Sequence, residues 1–123
     1  MSVTDTSSSP HVKLRSVSLR DVRWTGGFWG DRFDVCRERM VPVIRRHMCE
    51  TERVKFAGNF EVAAGAVEGR HRGPRWNDGD FYKWLEGAAA VAGATCDDAL
   101  RADVDELSNL IAAAQREDGY IHT

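Results

Sequence analysis

The sequence predicts a mainly α-helical protein. Apolar residues recur at helical spacing in three stretches, within 31–48, 81–92 and 100–114. Glycines and aspartates stand where the last two of those stretches should begin and end. Against them stands one candidate strand, VSLRDV at 17–22.

The elements follow in chain order. Residues 1–16, beginning MSVTDTSSSPHVK, read as a disordered, solvated arm, because they carry neither a basic start followed by an apolar run nor a helical stripe. After the strand, WTGGFWG brackets a Phe-Trp pair with glycines, which marks a turn with aromatic anchors. From Asp31 a helix is expected, with Phe33, Cys36, Met40, Ile44 and Met48 on one stripe. Pro42 interrupts it, either kinking it near Met40 and Val41 or opening a new helix at its first position. Residues 51–77 keep no period and read as a long loop with room for a short helix at 60–66. A loop of that length is functional, disordered, or a sign of misassigned elements.

Order returns with Phe81, Trp84, Leu85, Ala88, Ala89 and Ala92 on one face of a helix, its small alanines suited to close approach by another helix, and Gly93 is expected to end it. Asp97 or Asp98 can cap the next helix, where Leu100, Val104, Leu107, Ile111 and Ala114 recur until Gly119. A short turn at 94–97 makes the two a helical hairpin. The closing DGYIHT reads as a new apolar start, and the hairpin still needs cover for its apolar faces.

Composition narrows the function classes. A chain of 123 residues holds one small domain at most. Its 42% apolar and 29% charged residues suit a soluble protein, and no apolar run reaches the roughly 20 residues that span a bilayer, so no membrane partner is expected. Cys36, Cys49 and Cys96 are odd in number and far apart, which fits reduced thiols and a cytoplasmic location. The net charge is −2 but uneven: 14 Lys and Arg against 9 Asp and Glu through Arg75, then 3 against 10. The halves should attract each other. Acidic residues interleave the basic ones in the first half, which argues against a nucleic-acid partner.

Five motifs then stand in order: GFWGDR, Val41-Pro42, NFEVAAG at 59–65, WNDGDFYKWLE at 76–86 and AQREDGYIHT at the close. Together, across 22–123, they resemble the N-terminal region of the beta-L-arabinofuranosidases of glycoside hydrolase family 127. The resemblance implies an enzyme several times longer, with an (α/α)6 barrel followed by β-sandwich domains. Residues 17–123 would then be an incomplete N-terminal part of that barrel. It implies release of L-arabinofuranose from plant-type glycans with retention, by a zinc-bound cysteine thiolate aided by a glutamate acid/base. In the family those groups and the other zinc ligands lie beyond the matching region, so no catalytic residue and no metal ligand carries over. No cofactor is expected in this chain, with zinc belonging to the full-length family.

The stretch WNDGDFYKWLE matches the family most closely, and Asp78, Asp80, Tyr82 and Lys83 are its candidate sugar-binding residues. A purely structural account uses the same groups: Asp78 or Asp80 as helix cap, Lys83 paired with Glu86, and Trp76, Phe81 and Trp84 in the core. Gly79 departs from the family, which tends to have a small hydroxyl residue there. Asp78 and Asp80 do not make a retaining pair of their own, because residues two apart at a helix start point apart. His47 and Cys49 likewise point apart, leaving the cysteines as packing residues. The expected function is therefore an N-terminal part of a retaining glycosidase, inactive alone, with a carbohydrate substrate in the complete enzyme. The alternative is a non-catalytic helical module that self-associates or packs on a partner chain through its apolar faces.

Overall fold

The computed structural model describes residues 5–50 and 56–123. Among them every regular element is helical: α1 (Gly27–Val35), a π-helical turn (Cys36–Met40), α2 (Val41–Glu50), α3 (Phe56–Ala63), α4 (Asn77–Thr95) and α5 (Asp98–Ala113). The mainly α expectation holds. The strand does not: 17–22 forms a turn in which the Asp21 amide donates to the Ser18 carbonyl at 3.0 Å. Part of the arm, residues 1–4, and part of the loop, residues 51–55, lie outside the described residues. The arm from residue 5 to 16 runs through two short turns, closed at 3.1 and 3.4 Å.

The first helix starts four residues before Asp31 and continues through Pro42 without a break. A proline has no amide to donate and its ring crowds the carbonyl four residues back. The π turn accommodates both by adding a residue, so that the Val41 amide reaches the Cys36 carbonyl five residues back. That extra residue rotates everything after it. Met40, expected on the apolar stripe, is 51% exposed, and Val41 takes its place in the core at 6%.

The core sits where α4 meets α2, α3 and α5. Phe81 and Phe60 are fully buried, with ring centroids 5.6 Å apart, and Trp84 stacks on Phe81 at 6.0 Å. A buried indole N–H requires an acceptor, and that of Trp84 finds the Val41 carbonyl at 3.2 Å, tying α4 to the start of α2. Val104 and Leu107 bring α5 into the same cluster. Across its edge, Arg45 of α2 grips Asp103 of α5 with two hydrogen bonds at 2.5 and 2.6 Å. One residue comes from the basic half and one from the acidic half, as the charge asymmetry predicts.

Two glycines play different roles from those expected. Gly93 does not end α4, which runs to Thr95 and stops at Cys96 in the left-handed region, φ 58°. At Gly93 a Cβ would come within 3.2 Å of Leu19 Cδ1, and the Arg20 Nε donates to its carbonyl at 3.4 Å. The bare backbone admits the N-terminal segment against α4. The N-terminal turn at Leu19 and Arg20 thus packs at Gly93, while α5 packs along α4, with Ala88 in one buried cluster with Val104 and Leu107. Asp97 caps α5, accepting from the Leu100 amide at 2.9 Å. That helix ends at Ala113, short of Gly119, which instead turns the chain at φ 87° and donates to the Arg116 carbonyl at 2.8 Å.

Candidate functional site

The turn at Gly119 sends the closing segment back across the hairpin to the first turn of α4. There Asp78 receives it. Its carboxylate accepts from the Thr123 amide at 2.8 Å and from the Thr123 hydroxyl at 2.9 Å, and its Oδ2 lies 2.6 Å from His122 Nδ1, with the Asp78 side chain only 4% exposed. One turn further on, the Tyr82 hydroxyl donates to the Ile121 carbonyl at 3.5 Å. Burial, and then the nearby Asp78, push the Tyr82 phenol up from its ordinary value and keep it protonated. DGYIHT does not begin a new apolar element, as its sequence suggests, but straps onto α4.

The loop after α3 forms the opposite wall. Asn59, buried in α3, holds it at both polar atoms of one residue: Asn59 Nδ2 donates to the Arg72 carbonyl, and the Arg72 amide donates to Asn59 Oδ1, each at 2.9 Å. Asn77 Nδ2 donates to the same carbonyl at 3.3 Å. An amide side chain offers a donor and an acceptor in one plane, so it mimics a backbone partner for chain that has no ladder of its own. With Arg72 held, His71 and Arg75 face the closing segment across a cleft of about 390 Å³, lined also by Tyr120, His122 and Thr123. The Tyr120 and His122 rings stack at 6.3 Å, and the Arg116 guanidinium lies over Tyr120 at 5.8 Å.

The four residues singled out in the sequence divide between two faces of α4. A helix turns about 100° per residue, so Asp78 and Tyr82 share one face while Asp80 and Lys83 share nearly the opposite one. Asp80 and Lys83 form an exposed ion pair at 3.0 Å, with Lys83 joined to Asp80 rather than to Glu86. Neither Asp78 nor Asp80 caps α4, whose start has no side-chain cap; both lie in the first turn, where negative charge complements the helix dipole. Trp76, expected in the core, is 71% exposed, whereas Phe81 and Trp84 are buried as expected. His71, Arg75, Tyr120 and His122 were not singled out in the sequence. The one available signal was that the last two of the five motifs carry complementary groups, carboxylates in WNDGDFYKWLE and an imidazole in AQREDGYIHT.

The cysteines lie elsewhere. Cys36 and Cys49 pack against the core and Cys96 ends α4. Burial pushes the Cys49 thiol up, which disfavours the thiolate that a nucleophile or metal ligand must be. Among the described residues no three His, Cys, Asp or Glu side chains converge as a metal site. No helix among them is long and apolar enough to cross a membrane.

The described residues thus form a helical scaffold with a polar, aromatic-edged cleft between a pinned loop and a strapped helix start. Residues 21–123 match the beta-L-arabinofuranosidase catalytic domain of glycoside hydrolase family 127, and the chain belongs to that family. It is 43% identical over 119 residues to a non-reducing end beta-L-arabinofuranosidase of Bifidobacterium longum subsp. longum, a match covering 84% of this chain and 18% of that enzyme. The chain thus spans less than a fifth of the length of this curated relative.

Proposed function

We propose that this chain forms one wall of the sugar site of a retaining arabinofuranosidase, and that the cleft between His71, Arg75, Tyr120 and His122 receives the furanose. The carrying observation is the buried Asp78 carboxylate, which fixes His122 and Thr123 at the cleft edge from a rigid helix. Imidazole and guanidinium groups supply hydrogen bonds to ring hydroxyls, and Tyr120 supplies an apolar face for the sugar carbons. Asp78 and Tyr82 take part by holding the closing segment, while the exposed Asp80 and Lys83 pair has no place in the cleft.

The nucleophile, the acid/base and the zinc ligands come, on this proposal, from outside this chain, as the family resemblance implies. Support comes from the cysteines, none of which lines the cleft. The helices are the first of an (α/α)6 barrel. A compact protein of this mass would expose about 6,600 Å², whereas this chain exposes 9130 Å², with Trp24, Phe28 and Trp29 among the uncovered side chains. Further barrel helices would cover them. The same aromatic surface favours a second use for the chain alone, self-association without catalysis. Three free thiols support a reducing, cytoplasmic setting.

The test places residues 21–123 into the Bifidobacterium relative in place of its matching segment. His122→Ala and Arg75→Ala should each lower kcat/KM on an aryl arabinofuranoside at least about tenfold, or roughly 1.4 kcal/mol, while Lys83→Met leaves it within about twofold. The 123-residue chain alone should not turn the substrate over. Full activity of both cleft variants would sink the proposal.

A further inference from the structure

The loop that walls the cleft has a second face. Its residues alternate: His71 lines the cleft, whereas Arg70 and Arg72 line a separate pocket of about 260 Å³ against α3, which Glu61, Val62 and Glu68 also line. That pocket is held in shape along its whole length. Just after α3 the Gly65 and Ala66 amides donate to the Val62 and Glu61 carbonyls at 3.0 and 2.9 Å, with Gly65 in the left-handed region at φ 71°. Further on, Gly69 lies so close to α3 that a Cβ there would come within 2.9 Å of Val62 Cγ2, and Asn59 then holds the Arg72 main chain. The start, middle and end of the loop are fastened to one helix, and a site fixed in this way loses little freedom when a ligand arrives.

The residues around the pocket define the chemistry of its ligand. Glu61 and Glu68 carry carboxylates, which accept hydrogen bonds, and Arg70 and Arg72 carry guanidinium groups, which only donate. All four residues are exposed, and among the described residues no ion pair joins any two of them. Rooted at the pocket wall on long side chains, they can turn onto a ligand there. Their charges cancel, so the pocket offers no net attraction to an ion, whereas a hydroxyl, which donates and accepts at once, satisfies both kinds of group. Val62 and Val67 add an apolar patch for ring carbons. We infer that this pocket is a second sugar subsite, for the neutral unit next to the furanose, and that the substrate is at least a disaccharide lying across the Arg72 main chain. His71 and Arg72 are neighbours, about 3.8 Å apart at Cα, so one glycan reaches both sides of the loop. The inference rests on the cleft being the furanose site.

Two substrates separate the two sites in the chimera with the Bifidobacterium relative: a beta-L-arabinofuranosyl disaccharide occupies both, and an aryl beta-L-arabinofuranoside occupies the cleft alone. Glu61→Ala and Arg70→Ala should each lower kcat/KM for the disaccharide at least about tenfold and leave that for the aryl substrate within about twofold. Equal losses on the two substrates, which a merely structural defect produces, would overturn the inference, and so would no loss on either. The cleft variants His122→Ala and Arg75→Ala should lower both substrates. If they change neither while the pocket variants act on the disaccharide alone, the furanose reading of the cleft fails and the second subsite stands. A binding measurement on the 123-residue chain needs no turnover. In its isotope-labelled amide spectrum, Gly69 and Arg70 should shift as the disaccharide is added, and should shift less in Glu61→Ala. Wild-type Gly69 and Arg70 amides that stay in place overturn the inference even where the chimera is inactive.

Discussion

Asn59→Ala is the perturbation that best separates the loop's anchoring from the rest of the fold. Asn59 is 2% exposed and makes two hydrogen bonds of 2.9 Å to the main chain of Arg72. Each such bond is worth about 1 kcal/mol net, and an orphaned buried partner costs a further 1 to 3 kcal/mol. The Arg72 carbonyl keeps Asn77 as a donor at 3.3 Å, and the Arg72 side chain is exposed, so water can reach the freed amide once the loop lifts. The lower part of the range therefore applies, about 2 kcal/mol. At roughly 1.4 kcal/mol per factor of ten, that is an approximately 30-fold faster exchange of the Arg72 amide with solvent deuterium, read residue by residue by NMR. Amides within α5 should change much less, because α5 makes none of these bonds. Asn59→Asp keeps the acceptor but turns a carboxylate toward the Arg72 carbonyl, so it should cost at least as much. If the Arg72 amide exchanges at the wild-type rate in Asn59→Ala, the loop is held by something else and the far wall of the cleft does not depend on Asn59.

Cys96→Gly should stabilise the chain by about 1 kcal/mol, seen as a raised Tm, because Cys96 holds φ 58° at the end of α4 and glycine does so without a Cβ penalty. Trp84→Ala should leave little soluble protein, at a cost of roughly 3 to 5 kcal/mol, whereas Trp84→Phe should fold and lose about 1 kcal/mol with the Val41 hydrogen bond. The partly buried Tyr82 phenol has its folded pKa raised above the ordinary 10.0, so its contribution to stability is complete below that pH and is lost as pH rises through the folded value. Thermal unfolding of Tyr82→Phe should accordingly fall less between about pH 9.5 and 11 than that of wild type.

Much of the helical scaffold could be read from the chain itself. The stripes of α4 and α5 depend on neighbours three and four residues apart, and local periodicity carries that information. For the same reason Asp97 was visible as a cap, and Phe81 and Trp84 as core. The π turn was not, because Pro42 states that the ladder must be relieved without stating how, and the remedy chosen exchanges Met40 for Val41 on the buried face. Gly93 looked like a stop because glycines often are, yet Leu19, which arrives from the other end of the chain, needs its missing side chain. Trp76 looked like core by its size, but it lies one residue before α4, where the helix does not turn it inward.

The sequence by itself determined that the chain is helical, that its two halves carry opposite charge, and that its motifs run in the order of an arabinofuranosidase family. The cleft was decided only by tertiary structure. Asp78 and Thr123 stand 45 residues apart, on a helix start and a segment with no period of its own, and they meet because α5 returns the chain the length of α4 before the turn at Gly119 redirects it. Asp80, two residues from Asp78 and chemically identical to it, faces solvent and Lys83 instead. No local rule distinguishes two aspartates in one helical turn, because the difference between them lies in which one the returning chain can reach.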